Sequence, residues 1–66
     1  MSSVGDQFPK EQARVRELLG SYREIGPVGT FGAVMIEQVL KRADAAAISG
    51  DVIEILRSYE ELKGCK

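Results

Sequence analysis

The residues of this chain whose types and spacing suit chemistry are Arg23 and the segment Gly26-Pro27-Val28-Gly29-Thr30-Phe31-Gly32. Glycines allow close approach of a ligand to the backbone. The amides that open the following helix lack intrahelical partners and sit at the positive end of its dipole. Arg23, Gly29, Thr30, Phe31 and Gly32 therefore form a candidate site for an anionic, nucleotide-like small molecule, with Arg23 or a second subunit's arginine adding charge. A structural reading accounts for the same residues. Ile25 ends one helix, Gly26-Pro27 makes the turn, Thr30 caps the next helix, and Val28 and Phe31 tuck into the core as a staple around that cap. The spacing lacks the Gly-Lys-Ser/Thr ending of a phosphate loop, differs from the dinucleotide fingerprint, and follows no strand.

Catalytic alternatives are few. The chain has no histidine to serve a hydrolytic triad, and no serine-lysine arrangement stands out. Glu60 and Glu61 are adjacent, so on a helix they diverge by about 100° and make a poor acid-base pair. A single cysteine, Cys65, allows no internal disulfide. Without histidine the usual nitrogen ligands of a structural zinc are also missing. The expectation is a protein with no enzymatic activity, no cofactor and no metal, in which Cys65 is an incidental residue of a frayed tail.

Nine basic and ten acidic residues are interspersed and give a net charge of -1. Such a balance supplies no phosphate-binding field, which argues against nucleic-acid binding, and no acidic excess of the kind a DNA mimic needs. Residues 1–6 carry neither the basic region nor the apolar run of a secretory signal, and no segment approaches the roughly 20 apolar residues of a membrane span. A cytoplasmic location without membrane contact is expected.

The elements that must position the glycine segment are helices. Val15, Leu18, Leu19, Tyr22 and Ile25 fall within an arc of about 120° at 100° per residue, predicting an amphipathic helix over about residues 9–25, with Pro9 early in it. Gly20 lies off that stripe, either tolerated at an exposed position or allowing a close helix approach. A second helix over about 30–49 carries apolar residues through roughly 200°, which predicts a central element contacted from two sides, with Glu37, Lys41 and Asp44 on a polar strip. Glu37 and Lys41 are spaced for an i,i+4 ion pair, and the small residues 43–47 suggest another helix lying close. Gly50 suits a left-handed C-cap. Asp51 with Glu54 three positions on is a capping-box variant that opens a third helix over about 51–63, with Val52, Ile55, Leu56, Tyr59 and Leu62 as its stripe. Residues 1–8 and 64–66 are expected to be flexible. The link between Ser49 and Asp51 is so short that the second and third helices must form an antiparallel hairpin.

The predicted fold is a single all-α, three-helix domain over residues 1–66. The pattern Ala-x-x-Ser-Gly-Asp with a following Tyr-Glu-Glu helix resembles part of a tetratricopeptide-type helical hairpin across residues 43–61. No second copy occurs, and a lone repeat cannot bury its own face, so this likeness supports the hairpin and implies nothing functional. The many large apolar residues exceed what three short helices readily hide in a 66-residue chain. Some must enter an interface, and the simplest is a homo-oligomer, a dimer first.

Gly-x-x-Gly-x-Phe-Gly-Ala-x-Met-Ile at Gly26 to Ile36, Ser-Gly-Asp-Val at Ser49 to Val52, and Tyr-Glu-Glu-x-Lys-Gly-Cys at Tyr59 to Cys65 resemble small reading frames of bacteriophages and prophages. The resemblance implies an accessory protein acting in the host cytoplasm on a host or phage protein partner, or during particle assembly. It transfers no catalytic motif.

Overall fold

The computed structural model describes residues 3–66 and folds them into three α-helices and one short 3-10 turn: α1 (Val4–Ile25), the turn Pro27–Gly29, α2 (Thr30–Ser49) and α3 (Val52–Gly64). There is no strand among these residues. Helices α2 and α3 pack closely as the predicted hairpin, and α1 packs against both. Arg23 pairs with Glu37 while Arg16 pairs with Asp44 further along α2, so α1 and α2 run antiparallel. Arg42 of α2 reaches Glu61 of α3 at 2.6 Å, and the bundle is up-down-up.

Helix α1 starts five residues before the expected position near residue 9. Ser3 is the N-cap, its hydroxyl accepting from the Asp6 amide, and Asp6 lies in the first turn, where its charge suits the dipole. Pro9 falls inside the helix rather than at its opening. The extension brings Phe8 into the core, where it is 5% exposed. The expectation that residues 1–8 are flexible thus misses a capped helical turn at residues 4–8, while Met1 and Ser2 lie outside the described residues. The opposite end is also tied down. Arg14 donates to the carbonyls of Leu62 at 2.7 Å and Cys65 at 3.0 Å, satisfying the end of α3 with a cation where the dipole favours one.

Gly50 takes the left-handed conformation, φ 72°, and closes α2 through its amide to the Ala46 carbonyl, as the sequence predicts. Asp51 then caps α3, its carboxylate accepting from the Ile53 and Glu54 amides at 2.9 and 3.3 Å.

The core is built from Phe8, Val15, Leu19, Ile36, Leu40 and Leu62, with Ala33 and Ala43 between them. Ala46 on α2 and Ser58 on α3 are buried as well, which fits the close helix approach suggested by the run of small residues. The α3 stripe is rotated from its expected position. Ile55 and Tyr59 pack against the core and Leu62 is buried, but Val52 and Leu56 face outward. Gly20 has no close neighbour that a methyl group would meet, so it allows no tight helix contact.

Candidate functional site

The corner between α1 and α2 is organised by Tyr22. Its ring lies against Gly32, and its carbonyl lies against Gly29. A Cβ on Gly29 would overlap the Tyr22 carbonyl oxygen, and one on Gly32 would overlap the ring edge at Cδ2 and Cε2. These two glycines are therefore needed for close packing, which leaves Gly26, at φ 87° and ψ -147°, as the corner's conformational requirement. The Tyr22 hydroxyl completes the arrangement by donating to the main-chain oxygen of Lys66 at 2.6 Å.

The five candidate residues of the anionic site are not gathered around one space. Arg23 and Thr30 border a shallow depression of about 300 Å³ together with Gly26 and Glu37. Gly29 is buried, Gly32 faces a different groove, and Phe31 projects outward at 78% exposure. Arg23 is paired with the Glu37 carboxylate, so the expected Glu37–Lys41 pair is replaced by a contact between helices. Two of the corner's amides are also occupied, Gly29 by the Gly26 carbonyl at 2.9 Å and Thr30 by the Pro27 carbonyl. The cap of α2 differs from expectation: Gly29 is the N-cap residue with no side-chain bond, and the Thr30 hydroxyl points back toward the Gly26 carbonyl at 3.5 Å. Nor do Val28 and Phe31 form a staple, since Val28 is 87% exposed.

On the other side of Tyr22 lies a groove of about 380 Å³, bounded by Tyr22 and Gly32, by Met35 and Val39 of α2, and by Glu61 and Gly64 to Lys66. Its cause is a difference in length. Helix α2 has 20 residues and α3 has 13, so at 1.5 Å per residue about 10 Å of α2 extends past the cover of α3. Periodicity correctly shows a wide apolar face on α2, but nothing in its spacing reveals that the neighbour stops short. Of the corner glycines only Gly32 lies under the Tyr22 ring and borders the groove, and a single glycine is too weak a signal to reveal it in the sequence.

Cys65 borders this groove, half-buried, with its thiol directed to the Glu61 carbonyl at 3.5 Å. Burial pushes the thiol pKa up from its ordinary value, and the Arg14 charge offsets part of that rise. Such a thiol is a poor nucleophile near neutral pH.

Among the described residues no three Cys, Asp or Glu side chains come together as a metal site would require, and no helix is long and apolar enough to cross a membrane. The remaining surface feature is apolar. Around the corner Ile25, Val28, Phe31, Val34 and Met35 are exposed, and at the far end of α2 so are Ile48, Val52, Ile53 and Leu56. No protein-family model, no curated protein and no solved structure matches this chain.

Proposed function

We propose that this is a non-enzymatic helical interaction protein that works by self-association and by binding a protein partner. The observation that carries the reading is the distribution of large apolar side chains: among the described residues six are buried in the core, while nine are 46% exposed or more. In a chain of this size the core alone leaves stability marginal, and burial of exposed apolar surface in an assembly supplies what is missing. Exposed apolar clusters on a small domain also mark sites of contact with other proteins. The likeness to small phage and prophage reading frames points to an accessory role in a host cytoplasm.

Thermal unfolding followed over a hundredfold range of protein concentration tests this. Folding coupled to association makes the melting temperature rise with concentration. A melting temperature independent of concentration, from a species that unfolds in one cooperative step, refutes self-association.

A further inference from the structure

The two apolar ends of the molecule are not equivalent: the corner adjoins a groove of about 380 Å³ bounded by Tyr22, Met35 and Val39, whereas the depression at the far end is smaller, about 240 Å³, and bounded by Arg42, Ser49 and Glu54 beside Ala45 and Ala46. A cavity of about 150 Å³ lined by aliphatic and aromatic side chains is enough to take up benzene. The groove beside Tyr22, Met35 and Val39, at about 380 Å³, has room for a phenyl ring. Phe31 stands one turn before Met35 on α2 and is 78% exposed, so its ring lies outside its own groove.

Two-fold symmetry joins these features. When two copies of α2 pair antiparallel about an axis at Met35, residues equally spaced on either side of Met35 face one another. Phe31 of one copy then lies over Val39 of the second copy, inside the groove, and the reverse contact forms at the same time. In this register no charged residue of α2 is set opposite one of like sign. The area is also sufficient. At roughly 150–250 Å² for a large aromatic side chain and somewhat less for an aliphatic one, complete covering of the exposed parts of Ile25, Val28, Phe31, Val34 and Met35 would bury on the order of 600 Å² per copy. Two copies reach about 1,200 Å², where specific, stable interfaces begin.

We propose that two copies of this chain pair through the N-terminal halves of α2, each placing its Phe31 ring in the other's groove between Tyr22, Met35 and Val39. The inference rests on the self-association proposed above and assigns its surface.

Cysteine cross-linking tests it. In a Cys65→Ser background, Met35→Cys should give a covalent dimer under mild oxidation, because the axis brings residue 35 of the two copies together, whereas Ile53→Cys should not. Independently, Phe31→Arg should weaken association by about tenfold or more with its helical circular dichroism unchanged, since the native ring is exposed in the single chain. If the unmodified protein associates but Ile53→Cys cross-links in place of Met35→Cys, the proposed surface is wrong and self-association stands. If the unmodified protein remains monomeric at high micromolar concentration, both fail. Should Phe31→Arg not fold, the cross-linking pair still decides.

Discussion

Adding one methyl group has opposite consequences at Gly20 and Gly29. Gly20 is exposed within α1 with nothing near its missing Cβ, so Gly20→Ala should stabilise the protein by about 0.5–1 kcal/mol. Gly29→Ala places a carbon onto the Tyr22 carbonyl, a backbone atom that cannot swing away, and should cost about 1–3 kcal/mol. Urea unfolding of the two variants measures both signs. Cys65 makes a second residue-scale prediction. Its thiol pKa is raised in the folded chain, chiefly by burial, above the ordinary value of 9.0. The folded state therefore holds the proton more tightly than the unfolded state, and the contribution is full below pH 9.0. As pH rises through that value the unfolded chain gains by ionising, and stability is lost until the folded thiol ionises too. Cys65→Ser should remove that part of the alkaline decline, and an identical pH profile for the two proteins would contradict the burial argument.

At the scale of elements, the two helix starts after turns behave differently. Asp51 accepts two amide hydrogen bonds, and Asp51→Ala should cost about 1 kcal/mol. Thr30 makes no such bond, and Thr30→Ala should change stability by less than about 0.5 kcal/mol. Chemical denaturation of the pair checks the contrast. The same two positions show what was legible in the sequence. Asp51 and Gly50 could be read because a cap and a left-handed turn depend on residues a few positions apart. Thr30 has the residue type of a cap without the role, because Gly29 and the 3-10 turn, held against Tyr22, already set the start of α2. Phe8 is hidden from periodicity because the helix it belongs to begins at a serine cap well before Pro9, whereas a proline ordinarily marks the first turn of a helix. The groove depends on α3 ending where α2 continues, and on Tyr22 bonding to Lys66 across 44 positions, which no local spacing records.

For the whole molecule, shape and surface agree. The principal extents are 37 × 23 × 16 Å and the radius of gyration is 12.1 Å, against about 11 Å for a compact domain of this length. An elongated body has a thin core, and the apolar residues it cannot enclose collect at the corner and at the far end of α2. The ion pairs that link the helices, Arg16–Asp44, Arg23–Glu37 and Arg42–Glu61, lie on the exposed sides, where solvent weakens each of them. The association proposed through the corner would accordingly be driven by apolar burial, and added sodium chloride should leave it unchanged or strengthen it. Marked dissociation by salt, measured by light scattering, would indicate an electrostatic interface instead.

The most direct measurement of the central claim is the molar mass of the unmodified chain by sedimentation equilibrium across micromolar concentrations. Self-association through the exposed apolar corner predicts a mass that rises toward twice the 7.2 kDa of one chain. A mass that stays at 7.2 kDa throughout, with the helices intact, would contradict it.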